Sequence, residues 1–290
     1  MKNKKGTIFA KAAALVAAVI MSVTAFAACN SGEQLAYGKE LLTLNTQLDT
    51  LTQLNMGAID AAVIDSVMAG YYSNNGEYAG KVTIMDAVLQ REQYGIAARK
   101  DDKAFMSKIN EALIALYGNG GMQEVADQFG LTADIALESS TENPLADATD
   151  SSWDDIDESG KIIKGFTIFA PIAFDEGDGL TGYDIELAKK TIEYLNEKYS
   201  VNLTPEFQII DWDSKEALLT NGTIDLIWNG LTIDDERLAN MCISVPYLNN
   251  DQVAVVRTED KDKYVTPDDL KDAVIGVEKG SAGESVVRGE

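Results

Sequence analysis

The sequence predicts an α/β fold, and three observations carry that expectation. Short apolar runs bounded by polar residues recur along the chain, as in AAVI at 61–64, the pattern of strands buried on both faces of a parallel sheet. Between such runs lie stretches of helical periodicity, and strands that alternate with helices imply crossover connections. With 290 residues, 46% apolar and 8% aromatic, the chain can close one or two domains over real cores.

The first 29 residues read as an address rather than as part of that fold. Lys2, Lys4 and Lys5 make a basic start, a largely apolar stretch runs from 10 to 28, and it closes on FAAC at 26–29. This is signal-peptide architecture. Small residues directly before a cysteine also resemble the cleavage box of bacterial lipoproteins, which implies lipidation at Cys29. Phe26 stands where that box usually has an aliphatic residue, and the plainer alternatives are an ordinary signal peptide or an N-terminal membrane anchor. In each case the body is expected to be exported. Removal of the segment takes away four lysines and no acid, which moves the net charge from −23 to −27.

The leucine-rich stretch 41–54 leads to the expected strand 61–64, stopped by Asp65, and to a helix-like stretch reaching Tyr71 and Tyr72. YGIAA at 94–98 is the next expected strand. Phe105, Ile109, Ala112, Leu113 and Leu116 share one helical face over 102–117, the glycines of 118–121 stop that helix, and a second helix runs to about 129–130. Residues 135–150 (IALESSTENPLADATD) lack periodicity and read as a solvated linker. Beyond it the expected strands are 162–169, 207–210, 225–228, 252–256 and 274–277. The expected helices are 183–199, 215–220 and one starting at 267–270.

Composition narrows the chemistry. A net charge of −23 excludes a nucleic-acid partner, which would need clustered Lys and Arg. The chain has no histidine, so His triads, His bases and His-ligated metals are excluded. No cofactor, metal or catalytic group is expected, and the chain is read as a non-enzyme. Cys242, in Met-Cys-Ile, reads as an inert buried thiol rather than a partner for Cys29.

Several stretches together carry a family resemblance: FAPIAF (169–174), GLTGYDIELA (179–188), DWDSKE (211–216), NGTIDLIWNGLTIDDER (221–237), SVPY (244–247) and GVEKGSAGE (276–284). In this order and spacing, residues 153–290 resemble the front half of bacterial polar amino-acid-binding proteins. IDAAVID (59–65), YGIAARK (94–100), KINEAL (108–113) and GGMQEV (120–125) resemble the back half. The halves stand once each in reversed order. The resemblance therefore implies a two-lobed periplasmic-binding-protein-like fold of type II, each lobe a mostly parallel sheet flanked by helices, circularly permuted.

On that reading residues 30–92 with 261–290 form lobe two. Residues 93–134 and 151–260 form lobe one, with hinge strands near 252–256 and 94–98. The linker 135–150 joins the family's usual ends, and its sixteen residues can span roughly 50 Å. The alternative is a fragment of a tandem binding protein cut out of phase, whose halves pair within one chain or swap between chains.

The resemblance also assigns a site. A free amino acid presents a carboxylate, best held by a bidentate guanidinium and backbone N–H groups, and Arg237 matches the family's clamping arginine. Ser281, Ala282 and Gly283, in a turn that opens a helix, supply N–H groups at a positive dipole end. Asp65 matches the ammonium-binding aspartate; its plainer role is a helix N-cap before Ser66. Asn229, Gly230 and Thr232 match positions that contact the head group, and Phe169 and Trp212 match aromatics that sandwich the ligand side chain. Trp212, between Asp211 and Asp213, is expected to face a cleft, and Phe174 to pack. No second charge is placed in the pocket. The implied partners are a free amino acid, an ABC importer permease and, through lipid on Cys29, the outer face of the bacterial cytoplasmic membrane. Rival readings are an enzyme on the same fold or a ligand sensor.

Overall fold

The computed structural model describes residues 34–175, 177 and 179–290; the expected signal segment and Cys29 lie outside the described residues. In chain order the regular elements are β1 (Glu40–Leu44), α1 (Gln47–Asn55), β2 (Ala61–Asp65), α2 (Ser66–Asn74), β3 (Val82–Arg99), α3 (Lys103–Gly118), α4 (Gly121–Phe129), α5 (Ser152–Ser159) and β4 (Lys161–Phe166). They continue with β5 (Phe174–Asp175), β6 (Leu180–Thr181), α6 (Tyr183–Tyr199), β7 (Thr204–Ile209), α7 (Lys215–Thr220), β8 (Leu226–Thr232), α8 (Asp235–Asn240), β9 (Met241–Ile243), β10 (Leu248–Arg257), β11 (Val274–Glu278) and α9 (Ala282–Arg288).

The main sheet runs β1-β11-β2-β10-β3-β8-β4-β7, with β9 on β3. At one end β11 pairs in parallel with β1 and β2; at the other β4 pairs in parallel with β7 and β8. The two central strands run antiparallel to their neighbours. β2 and β8 are buried along their whole length, because apolar clusters cover the sheet on both faces at each end. The chain is thus α/β, with a mixed sheet flanked by helices. Among the described residues no helix is long and apolar enough to cross a membrane.

β3 and β10 join the two ends. Gln252–Val256 pair with β2 on one side, and Tyr94 and Gly95 pair with β8 on the other. Between these lies a two-stranded passage in which Arg91–Gln93 pair with Asn249–Asp251. The expected hinge strands 252–256 and 94–98 are thus paired into the two halves of the sheet, whereas among the described residues 91–93 and 249–251 have no further strand beside them. The same pairing lays 252–256 against the half that holds β2 rather than with residues 151–251.

The stretch 135–150 is largely exposed, as expected of a linker, but it is pinned at several points. Leu137 is buried, Asn143 donates to the carbonyl and hydroxyl of Ser107 at 3.0 Å each, and an Asp150 oxygen accepts from the N–H of Ala104 at 2.9 Å, at the start of α3. Two smaller differences follow from local geometry. The expected strand 162–169 ends at Phe166, after which the chain turns so that Phe169 bridges to Ala173. The expected helix at 267 is a 3-10 turn, Pro267–Asp272, started by a capping box between Thr266 and Asp269.

Candidate functional site

A cleft opens at the carboxyl ends of the parallel strands, where α/β sheets place ligands. One wall comes from the β4–β8 half: Thr167 and Phe169 after β4, Trp212 after β7, Asn229, Gly230 and Thr232 on β8, and Arg237 in α8. The other comes from the β1–β11–β2 half: Gln47 opening α1, Asp65 ending β2, Glu278 ending β11, and Ser281 and Ala282 opening α9. Nine of the ten expected binding residues therefore line one cleft. Gly283 does not. It packs α9 onto β2, where a Cβ would come within 2.9 Å of the Val63 carbonyl oxygen.

Arg237 is held from three sides. Its Nη1 donates to the Thr232 carbonyl at 2.8 Å, its Nε pairs with Asp234 at 3.2 Å, and its Nη2 reaches the Gly280 carbonyl at 3.5 Å across the cleft. Lys215 donates to the same Gly280 oxygen at 3.0 Å, and the exposed Lys279 pairs with Asp213 at 2.7 Å. These contacts draw the cleft nearly shut. They also explain why Trp212, though it lines the cleft, is buried: its ring packs among Ile210, Leu219 and Ile224, with the Lys215 ammonium 4.9 Å above it.

Asp65 occupies the N-cap position of α2, but its side chain makes no cap bond. Its oxygens turn inward. One accepts from Asn250 at 2.9 Å and from Gln252; the other accepts from Gln47 at 2.5 Å. Burial drives its carboxyl above the ordinary range, and the amide donors partly oppose that. Glu92 shares the amides of Asn250 and Gln252 at 2.6 and 3.0 Å, and burial beside Asp65 pushes it up to about 8. Glu278 is likewise pushed up to about 8 by burial and by Asp65. Its Oε1 has no hydrogen-bond partner.

The floor is shaped by β8. Asn229 donates to the Thr167 hydroxyl at 2.9 Å, and its side-chain Oδ1 is buried without a partner. The N–H of Gly230 is already engaged, donating to Asp184 at 3.2 Å. Gly230 has φ +67°, and a Cβ there would meet the Phe169 ring at 2.8 Å, so glycine lets that ring close the floor. Phe174 packs on Tyr71 and Phe129, away from the cleft lining, as expected. Cys242 is buried and free, its thiol raised to about 11 by burial.

Sequence reasoning missed Gln47, Thr167 and Glu278. Glu278 carried the signal that had marked Asp65, an acid ending an apolar strand, here VIGVE. Gln47 and Thr167 carried none, since a polar residue at a helix start or after a strand is commonplace.

Residues 143–282 match the sequence model of the bacterial extracellular solute-binding proteins, family 3. The L-cystine-binding protein of Escherichia coli (strain K12) is 31% identical over 135 residues, 46% of this chain and 48% of that protein. The arginine-binding extracellular protein of Bacillus subtilis (strain 168) is 31% identical over 130 residues, 44% of this chain and 48% of that protein. The chain spans about half the length of the curated relatives it matches. A solved substrate-binding protein of an ABC uptake transporter from Streptococcus pneumoniae, with bound histidine, is 43% identical where it covers 31% of this chain and 35% of its own, with a TM-score of 0.27.

Proposed function

We propose that this chain, whose residues 143–282 match the family 3 extracellular solute-binding proteins, captures a free amino acid between the two halves of its sheet and presents it to an ABC importer. One observation carries the reading: Arg237 and Asp65 face one cleft from opposite halves. A guanidinium and a buried carboxylate so arranged suit the carboxylate and the ammonium of one amino acid. A ligand that touches both walls favours the closed form by its extra contacts there. The passage at 91–93 and 249–251 is where such closure would bend.

Export, lipidation at Cys29 and the circular permutation belong to the same proposal. The permuted reading draws support from β11, which pairs between β1 and β2 of its own chain, so both sheet halves are built within one copy. The test is thermal unfolding of residues 30–290 against each free amino acid, with Arg237→Ala beside it. A ligand present at 100 times its Kd adds roughly 2.7 kcal/mol to the folded state. The expected result is a raised midpoint with one or a few amino acids that Arg237→Ala abolishes. A cooperative melt that no amino acid shifts would overturn the assignment, and no cooperative melt would favour an out-of-phase fragment.

A further inference from the structure

We propose that Glu278 selects the ligand's side chain, so that the site prefers amino acids bearing a second positive charge over neutral ones of the same shape. The inference rests on the amino-acid reading above and deepens it. Both Asp65 oxygens already accept from Gln47, Asn250 and Gln252. Glu278 lines the same cleft, is only 4% exposed, and leaves Oε1 without a hydrogen-bond partner. A buried carboxylate oxygen with no donor is costly unless something supplies one, and its position at the end of β11 turns it to the ligand space.

Charge points the same way. The acids Asp65 and Glu278 both line the cleft, and Asp65 is among the causes that hold Glu278 protonated. A ligand cation beside Glu278 offsets that repulsion, whereas a neutral side chain does not. Without such a ligand, burial holds Glu278 protonated up to about pH 8. A cationic side chain facing Oε1 favours the ionised carboxyl, so binding at neutral pH expels a proton.

The test is isothermal titration of residues 30–290 at pH 7 with L-arginine against L-citrulline and L-lysine against L-norleucine, in two buffers of different ionisation enthalpy. A charge-assisted contact predicts the cation of at least one pair bound 10- to 100-fold more tightly than its neutral counterpart, with proton release. Glu278→Gln, of the same size, is expected to erase both the preference within each pair and the proton release. The wild-type comparison stands alone if the variant fails to fold. Equal affinity within both pairs, or preferential binding of neutral or acidic amino acids, would overturn the role of Glu278 and leave the amino-acid reading intact. Binding of no amino acid at all would overturn both.

Discussion

Lys215 and Arg237 donate to one and the same acceptor, the carbonyl oxygen of Gly280, at 3.0 and 3.5 Å. The donors sit on one wall of the cleft and the acceptor on the other. Two cations converging there repel each other, and burial and then Arg237 lower Lys215 to about 8. The carbonyl thus offsets a repulsion between two cations of one wall and ties that wall to the other.

Removing the Lys215 donor should loosen closure without unfolding either half. Lys215→Met is expected to give a larger radius of gyration in small-angle scattering than the wild type, with unchanged far-UV circular dichroism. An identical radius would mean that Arg237 and the Lys279–Asp213 pair suffice.

Glu92 should make stability fall as pH rises. Its folded pKa, about 8, lies above its ordinary value of 4.5, so between those values the folded state binds more protons than the unfolded chain and loses stability with pH. Glu92→Gln keeps the shape and removes the titration. The expected outcome is a folded state about 2 kcal/mol more stable at pH 8 and a shallower slope from 4.5 to 8, with the remainder shared by Asp65, Asp184 and Glu278, which burial also raises. Urea titrations at three pH values measure it.

Lys164 should act with the opposite sign. It is fully buried, its Nζ has no hydrogen-bond partner, and it lies over the rings of Phe207 and Trp228 in an apolar cavity. Burial lowers its pKa to about 7, below the 10.5 of the unfolded chain, so stability rises with pH between those values. Lys164→Met should stabilise the protein by about 2 kcal/mol at pH 7 and abolish that rise. A less stable variant would show that the ammonium has a role this packing does not reveal.

Gly230→Ala should cost more than an alanine at another left-handed glycine. Gly222 has φ +77° with nothing near its missing Cβ, whereas at Gly230 the Cβ meets the Phe169 ring. Backbone strain alone predicts about 1 kcal/mol at Gly222. The displaced ring raises this to about 2–3 kcal/mol at Gly230 and weakens ligand binding as well. Equal losses at the two positions would deny Phe169 its place in the floor.

What the sequence disclosed follows physical lines. β2, β11 and the helix 183–199 were legible because continuous apolar runs and helical periodicity announce elements packed on a sheet. The amino-terminal part of β3 was not, because Asp86, Gln90, Arg91 and Gln93 are exposed and interrupt any apolar run. Arg237 and Asp65 were legible through the family pattern. The amides that hold Asp65, from Asn250 and Gln252, were not, since residues 185 and 187 positions apart leave no local signal. Trp212 lines the cleft as its flanking aspartates suggested, but Lys215 covers the indole, and that contact left no signal in the sequence.

The pairing of β1 with β11 bears on how the molecule is made. β1 is an edge strand whose partner β11 lies more than two hundred residues later. During synthesis, the earlier strand lacks this partner until more than two hundred further residues have emerged. Contacts so distant in sequence slow folding and lengthen the time an unpaired edge is open to strangers. A nascent chain of this order depends on a holding chaperone for longer than one whose neighbouring strands emerge together.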